Sequence, residues 1–321
     1  MVRTSMFAMA LLYSAGVWCS EAETSPSSPT PTSPSSSWHY HTFNDAMRVH
    51  DFPRSIEVTK RIVGIEGADI LALCSSLYEQ NNPSVMPCDA TPRIPKIIHQ
   101  IWLGGPLPEE FKAYIYTWLE KHPGWYYKLW TDEDMKNIRL YNQQYYDEAE
   151  NYGVKSDLLK WEVIYSFGGV YIDVDFECLQ PLDRFHETYD FYTALQPLDT
   201  QFVQLGAAIF GAVPEHPILK HCIETIKDDW HLKGAPTKTG PVHFTKSLYA
   251  MAGKTEKRDI VFPAFYFYPL GCCGTQLDRS GWLQAGAYAL HHWAKSWMPK
   301  EYRTDEFKNI SNETSEKNWN M

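Results

Sequence analysis

The sequence has little positive charge and lacks the cysteine spacing of a zinc protein. Of its 321 residues, 29 are Lys or Arg and 39 are Asp or Glu, so the formal net charge is -10. Because no basic run interrupts this acidic balance, the composition argues against a nucleic-acid backbone as partner. None of the seven cysteines stands in a Cys-x-x-Cys pair, and the spacing therefore gives no support to a zinc site.

The amino terminus lacks an apolar run long enough to cross a membrane comfortably. The run from Met6 to Trp18 follows Arg3 and is short, which is typical of a signal peptide. We predict that residues 1–22 are a signal peptide, with an uncleaved signal anchor as the alternative that would tether the protein to a membrane. Either interpretation places the protein in the secretory pathway, in the Golgi lumen or outside the cell.

The rest of the chain divides by composition. Residues 23–37 are rich in Ser, Pro and Thr and cannot bury enough apolar surface to fold, so we predict a stem. An amino-terminal extension follows at 38–91, and the main domain covers 92–300. Residues 301–321 form a polar tail that contains two glycosylation sequons. At 44% hydrophobic residues, the chain can bury one large core.

The cysteine content predicts disulfides. Loss of Cys19 with the signal peptide leaves an even number of cysteines in an oxidising compartment. The connectivity stays open. We favour a pair between Cys74 and Cys88, with at least one of Cys272 and Cys273 pairing elsewhere.

Hydrophobic patterns in the main domain predict an α/β fold. A buried-strand run covers 97–103, an amphipathic helix covers 108–122, and a second strand covers 125–130. In doubly wound sheets, ligands bind beyond the carboxyl ends of such strands. Further strands are expected at 191–195, 202–210 and 260–268, and a further helix at 218–230.

A helix predicted over residues 155–167 leads to the candidate site. Its apolar residues recur at three- and four-residue spacings that make one stripe, and Ser156 is placed to cap its first turn. Gly168-Gly169 ends the helix and lets the backbone turn sharply into a short apolar strand at 170–172.

Two carboxylates follow that strand. Asp173 and Asp175 would project to the same side if the strand continued, so like charges would meet at one point. Such a pair needs a cation, and oxygen ligands favour Mg²⁺ or Mn²⁺. A solvated strand end is the alternative. A calcium loop fails as an explanation, because the glycine and the distal bidentate Glu expected of that loop are missing.

The segment SDLLKWEVIYSFGGVYIDVDFE, residues 156–177, resembles the Asp-x-Asp segment of glycosyltransferase family thirty-two. The resemblance extends from about Ile94 to about Trp297 and includes YKLWTDEDM and a Gly-Pro loop at 239–245. The clostridial glucosylating toxins are similar in the central segment. The resemblance implies a GT-A type α/β fold, a Rossmann-like mixed sheet flanked by helices in a single catalytic domain.

The same resemblance implies roles by position. Asp173 and Asp175 would hold Mn²⁺, or Mg²⁺, against the diphosphate of a nucleotide sugar, and Asp157 would bind sugar hydroxyls. Lys160 stands where relatives more often have Arg. It would add a positive charge, but it lacks the planar guanidinium with which Arg makes two parallel hydrogen bonds to one anion. The candidate catalytic residues are therefore Asp157, Lys160 and Asp173.

Four more residues are candidates for contacts to the donor. Trp102, at the end of the first strand, would stack on the nucleobase, with a core tryptophan as the alternative. Ser296 and Trp297, in the closing motif HHWAKSW, would face the diphosphate, as similar residues do in the toxins. Tyr171, in the strand before the Asp pair, is assigned to the same donor site.

The closing motif also offers a third metal ligand. Imidazole is a common metal ligand, and we favour His292, with His291 as the alternative. One position departs from the family, whose members usually carry an Asn near Gln204. A glutamine there keeps the same hydrogen-bond donors and acceptors.

The expected function is a retaining, metal-dependent glycosyltransferase. It would move a hexose from a UDP-sugar or GDP-mannose to a glycan, glycolipid or protein acceptor. Two other classes stay open: a sugar- or nucleotide-binding protein without turnover, and a secreted metal-dependent hydrolase. A retaining glycoside hydrolase would need two carboxylates about 5 Å apart with one as nucleophile, whereas the closely spaced Asp pair is typical of metal ligands.

Overall fold

The computed structural model describes residues 42–82, 91–200, 202–254, 256–270, 281, 283 and 286–296. The expected signal peptide, stem and polar tail lie outside these ranges. In the described ranges, we find no helix with the length and apolar character needed to cross a membrane.

A mixed sheet forms the centre of the fold. The strands are β1 (Ile97–Ile101), β2 (Tyr126–Trp130), β3 (Gly169–Ile172), β4 (Phe176–Cys178), β5 (Phe191–Ala194), β6 (Ile209–Ala212), β7 (Asp259–Phe262) and β8 (Ala289–His291). Six of them pair in the order β2-β1-β3-β6-β5-β7, and β4 pairs with β8 in a separate two-stranded ribbon. In the large sheet, β6 runs antiparallel to both neighbours, whereas the other pairs are parallel.

Helices cover this sheet. They are α1 (Phe43–Met47), α2 (Pro53–Val63), α3 (Gly67–Asn81), α4 (Glu109–Lys121), α5 (Asp132–Met135), α6 (Gln143–Glu148), α7 (Tyr152–Phe167), α8 (Asp183–Thr188), α9 (Pro217–Asp229), α10 (Ala235–Lys238) and α11 (Pro241–Met251). Single 3₁₀ turns occur at Val49–Asp51, Leu198–Thr200 and Ala264–Tyr266. Helix α7 contacts β1, β3 and β6, and α3 contacts β7. The expected α/β fold, a mixed sheet flanked by helices, is confirmed.

The amino-terminal helices share the main hydrophobic core with the sheet. Asn81, at the end of α3, donates from Nδ2 to the Asp259 carbonyl oxygen at 2.9 Å. The hydroxyls of Tyr78 and Tyr266 lie 3.2 Å apart, and that of Ser55 donates to the Leu198 carbonyl at 2.7 Å. The part of the extension that the structure describes is therefore packed on the sheet.

Helix α7 begins earlier than the sequence pattern predicts. Asn151 caps it, because its Oδ1 accepts the backbone N–H of Gly153 at 2.7 Å and of Val154 at 3.3 Å. Ser156, the expected cap, lies inside the helix. The helix buries residues around its circumference, including charged ones, rather than along one stripe. It is therefore a central helix of the fold.

The segment before β6 is not the strand that its apolar residues predict. Only an isolated bridge joins Leu195 and Leu205. Backbone N–H groups of Val203 and Leu205 donate at 2.9 Å to the hydroxyls of Thr59 and Thr245. Side chains therefore satisfy donors that a strand ladder would otherwise use. The predicted strand at 260–268 is likewise shorter, and ends at Phe262.

Three cysteines lie in the described ranges, and no disulfide joins them there. Cys74, Cys178 and Cys222 are buried with free thiols. The favoured partner of Cys74, Cys88, lies outside the described residues, as do Cys19, Cys272 and Cys273.

Gly169→Ala should lower the free energy of unfolding more than Gly124→Ala. Gly169 has a φ of +98°, and a Cβ there would lie 2.6 Å from the Ile97 carbonyl oxygen. Gly124 has a φ of +81° with no atom within 4 Å of an added Cβ, so its alanine variant should lose only about 1–2 kcal/mol through backbone strain. Denaturant unfolding compares the two variants, and equal losses would show that β1 and β3 do not need this glycine.

Candidate active site

A cavity lies beyond the carboxyl ends of β1 and β3. It encloses about 480 Å³, within the range of about 300–1,000 Å³ that is usual for small-molecule sites. Most of the residues predicted from the sequence line it: Trp102, Asp157, Lys160, Tyr171, Asp173, Asp175, Gln204 and Ser296. His292 is not among the lining residues, and Trp297 lies outside the described part of the chain.

The two aspartates converge through a turn and not through a continued strand. β3 ends at Ile172, and the Phe176 N–H donates to the Asp173 carbonyl oxygen at 3.2 Å, which closes the turn. The Tyr171 hydroxyl donates to Asp173 Oδ1 at 2.6 Å. The Ala294 N–H donates to Asp175 Oδ2 at 2.8 Å. Both carboxylates are thus fixed by neighbours before any ligand binds.

A histidine joins this pair through the ribbon of β4 and β8. The register places Phe176 opposite His291, and the two rings stack with centroids 4.4 Å apart. Ligand atoms of Asp173, Asp175 and His291 lie within 4.8 Å of one another. Carboxylate oxygen and imidazole nitrogen are donors that divalent metals accept, so these three residues fit a metal ion.

His292 points to another group. Its Nε2 lies 3.3 Å from Glu177 Oε2, and its ring stacks on Tyr114 with centroids 4.2 Å apart. The geometry therefore brings His291 to the Asp pair and does not bring His292, the residue that the sequence favoured.

Burial and charge act in opposite directions on the two carboxyl groups. Burial raises the pKa of Asp173 to about 6, against the lowering effect of the Lys160 charge. Burial also opposes ionisation of Asp175, but His291 and the hydrogen bond from Ala294 outweigh it and lower that pKa. Asp173 is therefore the carboxyl group of the pair that is harder to ionise, and a cation bound beside it would favour its charged form.

A second buried cluster lies on α7, at the same cavity. The Lys160 ammonium lies 2.5 Å from Asp157 Oδ1, and both side chains are almost fully buried. The Thr239 hydroxyl donates to Asp157 Oδ2 at 2.8 Å. Lys160 also lies over the rings of Trp161 and Tyr171, at 4.9 and 5.1 Å from their centroids. Lys160 is thus an ion-pair partner of Asp157 and not a free positive charge.

Trp102 lies at the mouth of the cavity, half-buried. Its Nε1 donates to the Pro106 carbonyl at 3.1 Å, and its ring tilts against Phe111 with centroids 5.3 Å apart. Asp132 Oδ2 accepts the N–H groups of Gly104 at 2.8 Å and of Gly105 at 3.3 Å. These contacts fix the loop after β1 and leave part of the tryptophan ring exposed to the cavity.

Lys295 and Gln196 line the cavity and were not predicted as site residues from the sequence. Lys295 has a positive φ of 49°, an uncommon conformation for a residue with a side chain. Gln196 Oε1 accepts a hydrogen bond from Gln204 Nε2 at 2.9 Å. The HHWAKSW motif could have identified Lys295, but no local signal marks Gln196, because only the chain reversal after β5 brings it to Gln204.

A protein-family model matches the part of the chain that contains the Asp pair. Residues 108–192 match the family model described as a glycosyltransferase sugar-binding region containing a DXD motif. This match confirms the resemblance to family thirty-two. It includes the Asp pair and Asp157, and it ends before Thr239 and His291.

Two curated fungal proteins are similar over part of their length. Inositol phosphoceramide mannosyltransferase 2 of Schizosaccharomyces pombe is 34% identical over 140 residues, which is 42% of this chain and 39% of that protein. A mannosyl phosphorylinositol ceramide synthase of Saccharomyces cerevisiae is 32% identical over 173 residues, 50% of this chain and 43% of that protein. The chain therefore spans less than half the length of these relatives.

A solved structure, the PaToxG glycosyltransferase, is similar with a TM-score of 0.43 and 17% sequence identity. The alignment covers 58% of this chain and 79% of that chain.

His291→Ala should weaken Mn²⁺ binding, and His292→Ala should leave it near the wild-type value. Even outer partners of metal ligands account for about 10–100-fold in affinity, so loss of a direct ligand should cost about tenfold or more. Calorimetric titration of Mn²⁺ into the two variants compares neighbouring residues in one motif. The reverse order of the two affinities would return the third ligand to His292.

Proposed function

Since the chain carries a glycosyltransferase sugar-binding region with a DXD motif, we propose that it is a metal-dependent, retaining glycosyltransferase. Residues 92–300 form the proposed catalytic domain. The proposed reaction moves mannose from GDP-mannose to a glycolipid acceptor. The family match supports the reaction class, and the names of the two fungal relatives support the sugar and the lipid. Retention of anomeric configuration rests on the resemblance to family thirty-two.

One observation carries this proposal. A carboxylate pair that needs a cation and a buried carboxylate suited to sugar hydroxyls line the same cavity. The first group suits a diphosphate with its metal ion, and the second suits a neutral polar sugar. A nucleotide sugar contains both chemistries in one molecule, joined at the bond that the reaction breaks.

Each residue has a proposed role in that arrangement. Asp173, Asp175 and His291 hold Mn²⁺, or Mg²⁺, and an imidazole among the ligands favours manganese, because magnesium prefers oxygen. When bound, the ion supplies positive charge that stabilises the departing diphosphate. Lys295 is the proposed second positive charge for the phosphates, and Ser296 beside it is a proposed hydrogen-bond donor.

The sugar is proposed to bind at Asp157. One oxygen of this carboxylate accepts from Lys160 and the other from Thr239, and a carboxylate has about four lone-pair sites for hydrogen bonds. Asp157 also lines the cavity, so we propose that its remaining lone pairs accept hydrogen bonds from sugar hydroxyls bound there. Tyr171 is proposed to hold the Asp173 carboxylate in place through the hydrogen bond that its hydroxyl donates.

The proposed setting is a membrane of the secretory pathway. The acceptor in the name of the first relative is an inositol phosphoceramide, which is a lipid. The amino-terminal signal that the sequence predicts favours the Golgi lumen as the compartment, with a cleaved, secreted form as the alternative.

A donor panel tests the reaction class. GDP-mannose, UDP-glucose and UDP-galactose are each incubated with Mn²⁺, with and without inositol phosphoceramide in detergent. We expect nucleoside diphosphate release that requires both the lipid and the metal, and a product whose anomeric configuration matches the donor. Equal release without lipid would identify a hydrolase, and tight donor binding without release would identify a binding protein.

Trp102→Ala should weaken nucleotide affinity by about 1–3 kcal/mol, the range measured for stacking of a base on an aromatic side chain. GDP with Mn²⁺ serves as the probe, because it contains the base and lacks the sugar. Calorimetry measures the affinity and thermal unfolding the stability.

Trp125→Ala is the matched control. Trp125 directly precedes β2 and so lies at the amino ends of the parallel strands β1 and β2, whereas the cavity lies beyond the carboxyl end of β1. There Trp125 packs on His122 and His186. This variant should lose stability and keep GDP affinity. If Trp102→Ala behaves in the same way, Trp102 is a packing residue.

A further inference from the structure

The loop between α10 and α11 holds the carboxylate that we assign to the sugar. Thr239 is fully buried and does not line the cavity itself, whereas Asp157 does. Its hydroxyl donates at 2.8 Å to Asp157 Oδ2, and its other close acceptor, the Ala235 carbonyl, is farther away at 3.4 Å. The single hydroxyl proton is therefore directed to the carboxylate.

The two oxygens of Asp157 are held from different parts of the chain. Lys160 reaches Oδ1 from one turn further along α7, and Thr239 reaches Oδ2 from the loop. With Lys160 alone, the carboxylate could rotate about its bond to Cβ and still keep its ion pair. The second contact removes this freedom, because both oxygens then have fixed partners.

The loop is itself bound to α7. Trp161 Nε1 donates to the Thr239 carbonyl oxygen at 3.0 Å, and the Thr239 N–H donates to the Ala235 carbonyl at 3.1 Å. A Cβ at Gly240 would lie 3.1 Å from Asp157 Oδ2, tighter than ordinary contact. Glycine at this position therefore leaves the hydroxyl of Thr239 as the neighbour of that oxygen.

We propose that Thr239 is a positioning residue that sets the orientation of the Asp157 carboxylate for the sugar of the donor. This inference rests on the proposed function, since it assumes that Asp157 contacts the sugar. It does not involve the nucleotide, which is assigned to Trp102 and the metal group. Thr239 should therefore affect the part of donor affinity that depends on the sugar, and leave the part that depends on the nucleotide unchanged.

The experiment compares GDP-mannose with GDP in Mn²⁺, and UDP-glucose with UDP as a second pair, by calorimetry. Thr239→Val removes the hydroxyl and keeps the shape of the side chain. We expect this variant to bind GDP as the wild type does and to bind GDP-mannose about tenfold more weakly, a loss typical of one hydrogen bond to a charged group. Thr239→Ser, which keeps the hydroxyl, should restore the wild-type affinity for both.

Thr237→Val is the matched control. Thr237 stands two residues before Thr239 in the sequence. Its hydroxyl donates to the backbone carbonyls of Lys233 and Gly234 and not to Asp157. The control should bind both probes normally. If Thr239→Val does not fold, Thr239→Ala takes its place, because it also lacks the hydroxyl and cannot overpack the site.

The outcomes separate the inference from the proposed function. Wild-type protein that binds no nucleotide sugar in either pair overturns the proposed function and the sugar role of Asp157 together. In a second outcome, the wild type binds the nucleotide sugar more tightly than the nucleotide, and Thr239→Val shows the same ratio of the two affinities. This result would overturn the positioning role alone. Parallel loss of both probes, or failure of Thr239→Ser to restore binding, would also overturn it, since the loop would then have only a structural role.

Discussion

Two carboxylates at the end of β3 are the constraint on which the site depends. Asp173 and Asp175 are close together in a partly enclosed cavity, where burial disfavours their charged forms. Ala294 and His291 contact Asp175 and favour its charged form, whereas the contact from Tyr171 does not offset the effect of burial on Asp173. A divalent cation held by Asp173, Asp175 and His291 would neutralise this pair and could at the same time bind a phosphate oxygen of the proposed donor.

Much of the fold keeps these groups together across long sequence distances. The ribbon of β4 and β8 brings His291 to Asp175 from more than a hundred residues along the chain. Helix α7 places Asp157 on the same cavity, and the loop after α10 holds it there. Gly169, the first residue of β3, lets that strand lie close to β1, since a Cβ there would come within 2.6 Å of the Ile97 carbonyl oxygen. The site is therefore a product of tertiary structure built on one local motif.

The sequence predicted the parts that depend on local pattern. The main strands and helices before the Asp pair follow from hydrophobic period and glycine positions, and the Asp pair itself was recognised from its motif. The choice between His291 and His292 could not be made this way. Neighbouring residues of a strand point to opposite faces, so the answer depends on the register between β4 and β8, which is set by packing. Thr239 was placed in the Gly-Pro loop, but its contact with Asp157 was not predicted, because the two residues are 82 positions apart in the sequence. Gln196 was missed because its partner Gln204 lies across a chain reversal.

We propose that Asp173, Asp175 and His291 together bind the metal ion that holds the donor diphosphate. Anomalous diffraction from crystals grown with Mn²⁺ and GDP would locate manganese without reference to the expected ligands. We expect a manganese peak within coordination distance of all three residues and of a phosphate oxygen. A peak between His292 and Glu177, or GDP bound in the cavity with no manganese beside the Asp pair, would contradict it.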